Sequence, residues 1–120
     1  MGSADFVDDP VACYLAEIAT VPPLGSEDEA FLVRLFREGG SGSERAGRGL
    51  VEASLAAVVS VSQRYCDQGA DEGIYLLDII ASGNVALEDA LKRFPGSEGE
   101  RFWDYAAPRV EAAVREAVGQ

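Results

Sequence analysis

The chain has 120 residues, is 48% hydrophobic and 26% charged, and carries a net charge of −11 with no histidine. That length and apolar content suit one domain with its own core and exclude a disordered chain. The acid excess argues against unaided, sequence-independent binding to duplex DNA, which needs Lys and Arg against phosphates. The missing histidine removes His-based triads and His metal sites.

Residues 1–8 read as a frayed tail. Asp8-Asp9-Pro10 then starts a helix: Asp9 can cap it, Pro10 suits its first position, and the acids favour its N-terminus. Val11, Tyr14, Leu15 and Ile18 follow at helical spacing, and Pro22-Pro23 ends the pattern near Thr20. Ser26 with Glu29 three residues on fits a capping box, which predicts the second helix with Phe31, Leu32, Leu35 and Phe36 as its apolar stripe. Gly39-Gly40-Ser41-Gly42-Ser43 closes it as a flexible linker.

The stretch 50–94 organises the rest. Leu50, Ser54, Leu55, Val58, Val59, Ser62 and Tyr65 keep a 3.6-residue period with small residues interleaved, which predicts a third helix over about 44–65. Asp67–Gly73 reads as a loop. A fourth helix is predicted from about Ile74 to Phe94. Gly83 inside it costs about 1 kcal/mol relative to alanine, so a bend or a close contact is expected there. After the Pro95–Gly99 loop, Arg101 to Val118 predicts a last helix with Val110, Ala113, Val114 and Ala117 inward. Pro108 should kink it or delay its start to Arg109. The expected fold is all-α: five helices, packed antiparallel or at steep angles.

Cys13 and Cys66 each fall near an apolar face and read as buried thiols, ahead of a disulfide or ligand pair. Glu27-Asp28-Glu29 is helix-start chemistry, and Arg34 and Arg37 are a solvated face. The glycine linker lacks the Lys-Ser/Thr of a phosphate loop. No nucleophile stands with a base, so no enzyme and no cofactor are expected. No apolar run nears the roughly 18 residues of a membrane span. With no signal segment, a cytoplasmic location is the default.

Several blocks together resemble the sigma-70 family of bacterial RNA polymerase initiation factors. Asp9-Pro10-Val11, Tyr14-Leu15 and Glu17-Ile18 resemble region 1.2. Leu50–Leu55, Val58–Val61 and Arg64-Tyr65 resemble region 2.1. Leu77–Ile80, Gly83-Asn84 and Ala90–Phe94 resemble region 2.2, and Phe102, Tyr105-Ala106 and Pro108–Val110 resemble region 2.3. The resemblance implies a single sigma-70 region 2-like domain over 9–120, with 9–40 region 1.2-like and 44–120 region 2-like. It implies docking on the clamp helices of the largest subunit of core RNA polymerase through Asp78, Ile79, Ile80, Ser82, Gly83, Asn84, Leu87 and Glu88. It also implies contact with the single-stranded −10 promoter DNA through Arg101, Phe102, Trp103, Tyr105 and Arg109. For the aromatics, the plainer alternative is packing of the last helix on the third and fourth. For Asp78 and Asn84 it is a solvated helix face.

The chain departs from the family in places. Ala81-Ser82 replaces a usual Gln-Glu, Glu88 a common Met, and Glu98, Glu100 and Glu111 stand where basic or aromatic residues are usual. Ala12 and Ala16 replace basic residues, and Asp71-Glu72-Gly73 is an expansion. These changes leave open a second reading: a sigma-like regulator that binds polymerase or an anti-sigma factor without productive promoter contact. A third is an interaction domain with no role in transcription.

Overall fold

The structure is a computed structural model that describes residues 10–67, 74–97 and 99–119. The tail at 1–8, the Asp9 cap, most of the loop before the fourth helix, the Asp71–Gly73 expansion and Glu98 lie outside the described residues. The described residues form five helices and no strand: α1 (Pro10–Ile18), α2 (Ser26–Glu38), α3 (Ser43–Cys66), α4 (Ile74–Arg93) and α5 (Phe102–Ala117).

The long helix α3 is the hub and packs against each of the other four; the most extensive interface joins α4 to α5. The composition of α3 permits this. Ala46, Gly47, Ser54 and Ser62 are buried beside Leu50, Val58 and Val59, and small side chains let neighbouring backbones come near. The two buried serines cost little, because each hydroxyl donates to the carbonyl four residues back: Ser54 to Leu50 at 3.1 Å and Ser62 to Val58 at 2.8 Å.

Gly83 lies at the crossing of α3, α4 and α5. A Cβ there would stand 2.8 Å from Val58 Cγ1 and 3.2 Å from Val114 Cγ2. The close contact expected from the sequence is therefore with the chain's own helices. Gly83→Ala tests the point. In an exposed helix the change would stabilise by about 1 kcal/mol. Overpacking a filled core costs about 1–3 kcal/mol. The expected result is a net loss of about 1–2 kcal/mol in urea unfolding, and a larger loss for Gly83→Leu.

Three local expectations need correction. Ser26 and Glu29 form no capping box: Gly25 occupies the cap position of α2 without a side-chain bond, and Glu29 turns inward to reach α5. Helix α5 runs through an exposed Pro108 instead of starting after it, because Phe102 and Ala106 are needed in the core with Val110 and Val114. Cys66 is buried, but Cys13 is exposed, one residue out of phase with the inward Tyr14.

Candidate functional site

Helix α4 has two distinct sides. Leu76, Ile79, Ile80, Gly83, Leu87 and Ala90 recur at spacings of three and four and are buried, the stripe a core-facing helix needs. On the opposite side Tyr75, Asp78, Ala81, Val85, Glu88, Asp89 and Lys92 are exposed, with Ser82 half-buried beside them. Val85 is 71% exposed. It stands among Asp78, Glu88 and Asp89, which makes an apolar centre with an acidic border.

The residues singled out for polymerase contact therefore divide. Asp78, Ser82 and Glu88 lie on the outer face. Ile79, Ile80 and Leu87, each no more than 2% exposed, lie in the core, and Gly83 is buried with them. Their role is to hold the helix in phase, since no partner reaches them without unpacking α4. Asn84 points sideways: its Nδ2 donates to the Tyr14 hydroxyl at 3.2 Å, and its buried Oδ1 has no hydrogen-bond partner among the described residues. It fastens α1 to α4. Val85, Tyr75 and Ala81 were missed as surface residues. The signal was available: an apolar Val85 falls seven residues after Asp78, on the polar stripe.

The residues expected at DNA divide in the same way. Phe102 is 1% exposed, edge-on to Phe94 at 5.3 Å between ring centroids. It belongs to the core and offers no face to a base. Arg101 is half-buried; its Nε donates to Glu29 Oε1 at 2.7 Å and its Nη2 to the Leu24 carbonyl at 3.3 Å. Glu29 Oε2 also accepts the backbone N–H of Phe102 at 2.6 Å. This carboxylate, 7% exposed, thus caps the start of α5 from α2 and neutralises Arg101. The Tyr105 ring leans on Phe94 at 5.4 Å, and its hydroxyl donates to the Arg93 carbonyl at 3.1 Å. Arg109 is exposed, its guanidinium 4.4 Å from the Tyr105 ring centroid.

Trp103 is half-buried and forms one wall of a cleft of about 240 Å³, with Pro23, Leu24, Ala53, Ser54 and Ala57 around it and Arg101 beside it. Glu111 is tied to α3: it accepts the Tyr65 hydroxyl at 2.6 Å and lies 3.8 Å from Arg64. Among the described residues no group of three or more Cys, Asp or Glu side chains is placed to hold a metal ion, and no helix is long and apolar enough to cross a membrane.

Residues 9–41 match the family model for sigma-70 factor, region 1.2. Over 112 residues, 93% of this chain, it is 36% identical to the RNA polymerase sigma factor SigA of Lactococcus lactis subsp. cremoris and 38% identical to that of a Bacillus species. The chain belongs to the sigma-70 family. A similar match, 36% over 112 residues, is found with SigA of Clostridium acetobutylicum. The chain spans 28–30% of the length of these sigma-70 relatives. The family match covers α1, α2 and the start of the glycine linker directly, and the pairwise matches extend it across nearly the whole helical bundle.

Proposed function

We propose that this chain is the polymerase-docking part of a transcription initiation factor. The outward face of α4 seats on the clamp helices of the largest subunit of core RNA polymerase, in the bacterial cytoplasm. One observation carries the reading: Val85 stands 71% exposed at the centre of an acid-bordered stripe whose reverse side is the core. An apolar anchor inside a charged border is the anatomy of a protein–protein contact. The carboxylates suit a basic partner helix and would steer its approach. The relatives that the chain resembles are RNA polymerase sigma factors, which agrees with it.

The test is binding to a clamp-helix fragment of the largest subunit. Val85→Asp should weaken it by about tenfold or more, as loss of a central anchor does. Asp78→Ala should lower mainly the association rate, by a few-fold. Asn84→Ala should loosen α1 and leave docking nearly unchanged. Unaltered affinity in both Val85→Asp and Asp78→Ala would place docking elsewhere.

A second reading concerns the promoter strand. Of the groups expected at DNA, Phe102 is in the core, Arg101 is neutralised by Glu29, and Tyr105 and Arg109 are stacked on each other. That favours a sigma-like regulator that occupies polymerase, or an anti-sigma factor, without capturing promoter bases productively. Trp103 and its cleft are the remaining candidate platform. A labelled −10 single strand, titrated beside the clamp fragment, decides between the two. Clamp binding alone supports the regulator. Binding to both, with the strand lost in Trp103→Ala, supports the initiation module.

A further inference from the structure

We infer that the end of the bundle where α2 finishes, α3 begins and α4 finishes docks a short acidic segment of a partner protein. Six of the chain's ten cationic side chains lie there: Arg34, Arg37, Arg45, Arg48, Lys92 and Arg93. All six are exposed. The three helices meet at this point. The Ser43 hydroxyl donates to the Phe36 carbonyl at 2.9 Å, and a Cβ on Gly47 would lie 3.0 Å from the Phe36 ring and 3.1 Å from Leu91.

The chain holds 21 carboxylates, yet these cations are left mostly unneutralised. Arg93 pairs with Asp89 at 3.1 Å. Arg34, Arg37, Arg45, Arg48 and Lys92 have no carboxylate within 4.0 Å among the described residues. The carboxylates around this end are Glu38, Glu44, Glu88, Asp89 and Glu100, five against six cations, so it lacks the acid excess of a chain of net charge −11. Like charges gathered without partners do not help the fold; they suit a ligand of the opposite sign. Five of the six are arginine, whose planar fork binds carboxylates in pairs.

An apolar contact lies beside the cations. Phe31 is 51% exposed, with the Arg34 guanidinium 5.8 Å from its ring centroid. Arg34 and Arg37 border a cleft of about 610 Å³ that runs between α2 and the loop before α5, with Ala30 and Val33 in its wall. Glu38 and Glu100 also line this cleft. An apolar side chain of the ligand therefore belongs inside it, and the ligand's carboxylates belong on the arginines outside.

Length separates a peptide from nucleic acid. A duplex is stiff and would carry its phosphates beyond the patch, over the acidic remainder of the surface. A short acidic segment ends where the cations end. This surface meets the Val85 side of α4 only at Asp89 and Lys92; the arginines of α2 and α3 that carry it lie off α4, so substituting them tests it independently of polymerase docking.

The probe is a fluorescein-labelled decapeptide rich in Glu and Asp with one central Leu, titrated against the whole chain. Its affinity should fall about tenfold as salt rises from about 50 to about 300 mM. The triple variant Arg34→Ala/Arg45→Ala/Arg48→Ala should bind about tenfold more weakly, as loss of charge-assisted bonds does. It spares Arg37, whose Nη1 donates to the Gly96 carbonyl at 3.1 Å and holds the loop. Arg64→Ala/Arg115→Ala, away from the patch, and Val85→Asp should bind as the parent does. The proposal is overturned if the peptide fails to bind at about 100 µM, or if the triple variant binds like the parent. Tighter binding of a short DNA duplex than of the peptide would overturn it as well. So would salt-sensitive self-association of the free chain that the triple variant abolishes, which would make a second copy the occupant.

Discussion

Replacing Phe102 with alanine is expected to remove about 3–5 kcal/mol of stability, the usual cost of deleting a buried phenyl ring. A domain of this size holds about 5–15 kcal/mol in all, so the variant should be partly unfolded at 37 °C. The ring is 1% exposed, meets Phe94 edge-on, and forms the first residue of α5. Its loss opens a cavity where α5 enters the core and removes the edge-on contact that holds Phe94 on the side away from Tyr105. Urea unfolding with circular dichroism measures the effect. Trp103→Ala is the comparison: that side chain is only half-buried, so its loss should cost clearly less stability. If Phe102→Ala unfolds like the parent but loses strand binding, the ring is a DNA platform after all and its burial is not maintained.

Glu29→Ala is expected to cost about 2–3 kcal/mol, more than a surface charge should. One carboxylate oxygen accepts the Phe102 N–H, an otherwise unpaired donor at the start of α5, and the other accepts Arg101. The first bond supplies most of the loss. It is charge-assisted, buried, and at the positive end of a helix. Removing it strands a donor at a cost of about 1–3 kcal/mol. The Arg101 pair adds less, because the Arg101 side chain is 43% exposed and half-exposed pairs contribute about 0–1 kcal/mol. Glu29→Gln retains an acceptor for the N–H and should cost about 1 kcal/mol. Amide exchange separates this from a capping-box role. Here Phe102 N–H should exchange faster in Glu29→Ala while the first turn of α2 is unchanged. Fraying of α2 with α5 intact would restore the capping box.

The two variants show where a sequence stops being readable. The pair Ser26 and Glu29 fits a local helix-start pattern, and the pattern describes only what is possible within one turn. The carboxylate instead bonds a backbone group 73 residues away, because the fold brings the bare end of α5 beside it. Arg101 and Phe102 were read from an ordered block of aromatic and basic residues. The block is real, but one of its members supports the core and another is neutralised by that same Glu29.

What the sequence determined by itself is local. Helix periods, Pro22-Pro23, the glycine linker and the break before Ile74 set the five helices of the described residues and nearly all their ends, since each depends on neighbours a few residues away. The ordered blocks likewise carried the sigma-70 family. The tertiary structure alone decided orientation. It turned Ile79, Ile80 and Leu87 inward, set Asn84 against Tyr14, left Val85 outside, and gathered six cations at one end. The physical reason is that helix phase and bundle topology depend on which faces must be buried together. In this chain α3 sets that arrangement, because every other helix packs on it.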